Sequence, residues 1–110
     1  MKILILSDLH LEFASFSPPP KEVDVVVLAG DIWKKDLGIY WARETWPHTE
    51  IIFVAGNHEF YHNDRHAVLS LLRKAAEDTG VHFLDDDEVV INGTLFRCNA
   101  VDRFFTVWTY

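Results

Sequence analysis

The sequence predicts an α/β domain built on a mainly parallel sheet with flanking helices. Three short apolar runs carry this prediction, at residues 2–7, 25–29 and 50–55. Each run is rich in β-branched residues and ends in a polar or glycine-containing turn. Runs without polar alternation are typical of strands buried on both faces, as in a parallel sheet covered by helices. Helical patterns follow two of the runs, which is the element order of an α/β fold.

Two segments are predicted to be helical. Residues 36–46 carry a helical pattern that Pro47 stops. The pattern over residues 64–78 is stronger, because apolar residues recur there at helical spacing: Val68, Leu71, Leu72 and Ala75. Asp64 can cap the start of this helix, and Gly80 stands just past its end. Short strands are expected at residues 81–84 and 88–91, after which the Asn92-Gly93 dipeptide predicts a hairpin turn.

Composition limits the function classes. The chain has 110 residues, of which 49% are hydrophobic, so a globular domain is expected. A net charge of -7 argues against a nucleic-acid-binding surface. It leaves phosphate ligands open, because bound divalent cations would reverse the local sign. Cys98 is the single cysteine, which favours a reducing, cytoplasmic setting. No apolar run is long enough for a membrane span, so no membrane partner is expected.

Polar side chains follow the three predicted strands at the point where each strand ends. Asp8 and His10 follow the first strand, Asp31 follows the second, and Asn57 and His58 follow the third. The carboxyl ends of parallel strands meet at one edge of a sheet, where ligands bind. Carboxylate, carboxamide and imidazole ligands suit Mn²⁺, Fe, Zn²⁺ or Mg²⁺. The sequence therefore predicts a metal site at this edge.

Simpler interpretations exist for each of these residues. Aspartate after a strand is commonly a turn residue or a helix cap, and Gly56-Asn57 is an ordinary turn dipeptide. The metal interpretation is favoured because the residues occur together. His62 and His66 lie four residues apart and form a possible second metal pair. Exposed or substrate-side histidines are the favoured interpretation of that pair.

The blocks D-x-H, G-D and G-N-H-[DE], each after a hydrophobic strand, resemble the first three blocks of the calcineurin-like metallophosphoesterases. The resemblance implies an α/β/β/α sandwich-type fold and hydrolysis of phosphate mono- or diesters at a dinuclear metal centre. It implies that Asp8 and His10 bind the first metal, that Asp31 bridges both, and that Asn57 binds the second. It makes His58 the catalytic histidine, which contacts the phosphate or protonates the leaving oxygen.

The sequence departs from the family pattern after these blocks. Members of the family continue with an isolated histidine and a G-H-x-H block, whereas His82 is the one histidine after residue 66. We therefore expect at most one firmly bound ion and divide the chain into residues 1–94, the N-terminal part of such a domain, and 95–110, an atypical aromatic tail. A frameshift, a premature stop or a deliberate fragment would explain the tail. The alternative to an enzyme is a catalytically inactive remnant that acts as a binding or assembly module.

A homo-oligomer is also predicted. The parallel sheet has apolar side chains on both faces, and the second sheet of the family is expected to be mostly missing. The tail adds an aromatic surface with no evident partner within the chain: Phe96, Phe104, Phe105, Trp108 and Tyr110. Large exposed apolar patches and unpaired strand edges usually mark an interface.

Overall fold

The computed structural model describes residues 1–18, 22–56, 58–60, 64–98 and 105–109, with the backbone alone for His58 and for 105–109. The strands are β1 (Ile3–Leu6), β2 (Val25–Ala29), β3 (Glu50–Val54), β4 (His82–Phe83), β5 (Asp87–Ile91), β6 (Thr94–Cys98) and β7 (Phe105–Thr109). The helices are α1 (Leu37–Thr45) and α2 (Arg65–Thr79), with a short 3-10 helix at His58–Phe60. The predicted α/β class is confirmed.

The first sheet is parallel, with strand order β1-β2-β3-β4. Its register pairs Leu6 with Leu28 and Ala29 with Val54. The first three strands therefore end at one edge, as the apolar runs predicted. Side chains alternate between the two faces along β2 and β3, and both faces are buried.

Both helices pack on the same face of the parallel sheet. Residues from β2 and β3 meet α1 and α2 in one core, which includes Val26, Leu28, Ile39, Ile51, Phe53, Val68 and Leu72. Helix α2 ends where predicted, because Gly80 adopts a left-handed φ of 75° and donates its N–H to Ala76 O at 2.8 Å. Asp64 occupies the N-cap position without a side-chain capping bond. No helix within the described ranges is long and apolar enough to cross a membrane.

The second sheet is antiparallel, with strand order β5-β6-β7, and it covers the other face of the parallel sheet. The Asn92-Gly93 turn is confirmed, since both residues have left-handed φ values of 50° and 77° between β5 and β6. Side chains of this second sheet pack against β2 and β3 in a second core. The core consists of Val25, Val27, Ile52, Val54, Leu84, Ile91, Phe96 and Cys98. The described residues thus form three layers: helices, parallel sheet and antiparallel sheet.

This second core corrects one premise of the predicted oligomer. Phe96 was expected to lack a partner within the chain, yet it is fully buried between the sheets. The backbone of β7 also pairs with β6 over its whole length. Ile5 on the edge strand β1 remains 56% exposed. The other aromatic side chains of the predicted interface lie outside the described residues, so the homo-oligomer remains a prediction.

Candidate metal centre

The loops after β1 and β2 run side by side beyond the ends of their strands. The first loop donates three backbone N–H groups to the second: Asp8 to Gly30 O (3.0 Å), His10 to Asp31 O (3.2 Å) and Leu11 to Ile32 O (2.9 Å). These hydrogen bonds join the two loops beyond the ends of their strands. They bring the residues after both strands to one place.

Three candidate ligands have unusual backbone conformations. Asp8, His10 and Asp31 have φ values of 56°, 46° and 54°. Left-handed φ is uncommon for residues other than glycine, although aspartate and histidine tolerate it better than most. Such conformations persist only where the surroundings enforce them, and they concentrate at functional sites.

The side chains of Asp8, His10 and Asp31 converge. One ligand atom from each lies within 4.8 Å of the others. His10 Nε2 lies 3.8 Å from Asp8 Oδ1, with the two side chains 33% and 64% exposed. Among the described residues, this is the group of three that could hold a metal ion. Because its donors are two carboxylates and one imidazole, it fits Mn²⁺, Fe, Zn²⁺ or Mg²⁺.

A second carboxylate faces the other ring nitrogen of His10. Glu12 Oε1 lies 3.5 Å from His10 Nδ1, and the Glu12 side chain is 17% exposed. Carboxylates in this position fix the tautomer and the orientation of a histidine that ligates a metal. The sequence analysis assigned no role to Glu12. Its spacing of two residues from His10 was the available signal.

The loop after β3 lies against Asp31 because Gly56 has no side chain. A Cβ atom at Gly56 would lie 2.5 Å from Asp31 Oδ1 and 2.7 Å from Asp31 N. Gly30 is also close to this loop, since a Cβ atom there would lie 3.2 Å from Gly56 Cα. Glycine at both positions therefore allows the two loops to approach each other closely.

Glu59 is fully buried behind these loops. Its Oε1 accepts hydrogen bonds from Asp31 N at 3.0 Å and from Gly56 N at 2.6 Å. The pKa of Glu59 is raised to about 7 in sum: burial is the largest cause and raises it, the backbone N–H donors of Gly56, Asp31 and Ile32 lower it, and the negative charge of Asp31 raises it. The sequence analysis included Glu59 in a family block but gave it no role.

The cluster of Asp8, His10 and Asp31 lies among the described residues, and the structure describes the other predicted residues only in part. Asn57 lies outside the described residues, and His58 is described by its backbone alone, in the 3-10 helix. His62 also lies outside them, and His66 is exposed at the start of α2. The structure therefore brings together the first and second predicted blocks. The side-chain positions of Asn57 and His58 stay predictions. His82 Nε2 lies 2.7 Å from Glu50 Oε2, away from the cluster.

The fold and the cluster define a class of protein: an α/β/β domain with a carboxylate–histidine site at the carboxyl edge of its parallel sheet. The sequence pattern of one family, the calcineurin-like phosphoesterases, matches residues 1–107. The chain therefore belongs to the calcineurin-like phosphoesterase family, and the resemblance drawn from the motifs is confirmed. The matched range runs past residue 94, into the segment predicted to be an atypical tail. Neither the curated proteins nor the solved structures gave a match to this chain.

Proposed function

We propose that this chain is a metal-dependent phosphoesterase that hydrolyses phosphate mono- or diesters. The observation that carries the proposal is the convergence of Asp8, His10 and Asp31 within 4.8 Å of one another, in a chain that belongs to a phosphoesterase family. The exposed Asp8 side chain leaves this group open to a ligand from solvent.

Asp8, His10 and Asp31 would hold the metal. Bound divalent ions supply Lewis-acid polarisation of phosphoryl oxygens and lower the pKa of bound water. Asp31 offers two carboxylate oxygens, which suits a residue shared between two ions. His10 would present Nε2 to the metal while Glu12 faces Nδ1, an arrangement that keeps the imidazole oriented.

Two further roles rest on the family motif. Asn57 would supply an oxygen ligand to a second ion. His58 would contact the phosphoryl group or donate a proton to the leaving oxygen, which makes it the catalytic residue of the proposal. We propose at most one firmly bound ion, because three candidate ligands serve the first ion and only Asp31 and Asn57 serve the second.

The test is hydrolysis of p-nitrophenyl phosphate and bis-p-nitrophenyl phosphate with Mn²⁺, before and after chelation. Asp31→Asn removes a charged ligand oxygen and should abolish turnover. Asp86→Asn is the matched control, since Asp86 is exposed in a turn and has a φ of 56°, close to the 54° of Asp31. Asparagine tolerates that conformation, so the control isolates loss of the ligand from backbone effects. Equal activity in the two variants would refute the proposal.

The alternative function is a non-catalytic binding or assembly module that keeps the fold. A chain that binds Mn²⁺ but hydrolyses neither ester would favour this alternative. We also propose a cytoplasmic setting, because Cys98 is the single cysteine and the chain can form no internal disulfide. We also propose that the chain forms a homo-oligomer.

A further inference from the structure

Glu59 links the loop after β2 to the loop after β3, and both loops border the candidate metal centre. Its side-chain oxygen Oε1 accepts the N–H of Asp31, at the end of β2, and the N–H of Gly56, at the end of β3. Its backbone carbonyl accepts the N–H of Lys35 at 3.0 Å, four residues after Asp31. One buried residue thus attaches to both ends of the segment 31–35 and to the neighbouring loop.

The hydrogen bonds from Asp31 N and Gly56 N share one acceptor atom, Glu59 Oε1, so the two backbone N–H groups are held close together. Asp31 has a left-handed φ, and its carboxylate lies against the backbone of Gly56. A backbone held in that conformation needs surrounding contacts to persist. The buried hydrogen bonds to Glu59 supply such contacts, and hydrogen bonds that involve a carboxylate are stronger than neutral ones.

Glu59 is not placed to act as a metal ligand itself. Its side chain is fully buried, and Oε1 already accepts two backbone donors. It is absent from the group of residues that could share one ion. Any effect of Glu59 on the metal site must therefore pass through Asp31 and Gly56.

We infer that Glu59 is a positioning residue: its buried carboxylate holds the Asp31 and Gly56 loops together and so sets where the Asp31 carboxylate stands in the metal site. The inference rests on the proposed function only in that Asp31 is taken as a ligand. The loss of an outer partner of this kind typically costs about 10–100-fold in metal affinity.

The test compares Glu59→Ala, Glu59→Asp and Glu59→Gln with the wild-type chain, and Glu77→Ala serves as a control because Glu77 is exposed on α2. Mn²⁺ affinity is measured by isothermal titration calorimetry. Amide hydrogen exchange at Asp31 and Gly56 is measured by NMR on the metal-free chain. Circular dichroism establishes that each variant is folded.

Glu59→Ala should weaken Mn²⁺ binding by about 10–100-fold and speed amide exchange at Asp31 and Gly56. Glu59→Asp should do the same, because its shorter side chain carries the charge without reaching both donors. Glu59→Gln keeps an oxygen at the Oε1 position and should retain both properties within a few fold. This rescue separates positioning from a general loss of stability.

Wild-type affinity and exchange in a folded Glu59→Ala or Glu59→Asp variant would overturn the inference. So would a folded Glu59→Gln variant as impaired as Glu59→Asp. If Glu59→Ala does not fold, the Mn²⁺ affinities and exchange rates of Glu59→Asp and Glu59→Gln test the inference. A wild-type chain that binds no Mn²⁺ would overturn the proposed function instead. The exchange rates of Asp31 and Gly56 would then decide whether Glu59 holds the loops together.

Discussion

Gly56→Ala should damage the metal centre by adding one methyl group. The new Cβ atom would lie 2.5 Å from Asp31 Oδ1, 2.7 Å from Asp31 N and 2.8 Å from Asp31 Cγ. An ordinary van der Waals separation requires the Asp31 carboxylate to move by about 1 Å. The backbone of Gly56 does not have the left-handed φ seen at Gly30, so alanine is excluded by this contact and not by conformation.

The expected magnitude follows from that displacement. A shift of about 1 Å in a group that organises a reaction costs roughly 10²-fold in rate. Overpacking a close contact costs about 1–3 kcal/mol of stability. We therefore expect Gly56→Ala to lower kcat/KM by roughly two orders of magnitude and Mn²⁺ affinity by about tenfold or more. Hydrolysis of bis-p-nitrophenyl phosphate and calorimetric titration with Mn²⁺ measure the two quantities.

Gly80→Ala is the control for simple destabilisation. Gly80 ends α2 with a φ of 75°, and the nearest atom to a Cβ there would be Arg43 Nη2 at 3.9 Å. Alanine in the left-handed region costs about 1–2 kcal/mol, without contact to Asp31. This variant should melt earlier and bind Mn²⁺ normally. A folded Gly56→Ala variant with wild-type Mn²⁺ affinity would refute the reasoning about Asp31.

Three further outcomes are expected. His58→Ala should abolish turnover and leave Mn²⁺ content nearly unchanged, by elemental analysis, because His58 is proposed to act on the phosphoryl group; loss of metal would mean that His58 is a ligand. Glu12→Gln should weaken Mn²⁺ binding by about tenfold in a calorimetric titration, because it removes the charge that faces His10 Nδ1. Unchanged affinity would show that Glu12 does not orient His10 for metal binding. Light scattering at micromolar concentration should give a dimer or larger species, and a clean monomer would contradict the predicted oligomer.

Local patterns in the sequence were enough to predict the parallel sheet and the edge at which Asp8, His10 and Asp31 meet. Continuous apolar runs marked β1, β2 and β3, and the polar residues that follow them, Asp8, His10 and Asp31, meet in the structure. The motif order also identified the family, which the match over residues 1–107 confirms. These features could be predicted because each depends on residues that are close together in the chain.

Features that depend on long-range pairing were missed. The pairing of β7 with β6 joins segments across residues 99–104, and no local pattern in the aromatic tail specifies it. The burial of Phe96 follows from the packing of the second sheet on the parallel sheet, which is also long-range. In the sequence, Glu59 has the pattern of a polar residue in a short turn. Its buried hydrogen bond is made with Asp31, which lies 28 positions earlier in the chain. A buried carboxylate between two loops emerges only once those loops pack together.

Titration of the purified, metal-free chain with Mn²⁺ tests the central claim most directly. We predict one tightly bound ion per chain, bound by Asp8, His10 and Asp31. We also predict that Asp31→Asn eliminates this binding, whereas Asp86→Asn retains it. Failure of the wild-type chain to bind Mn²⁺, or equal binding by the two variants, would contradict the account.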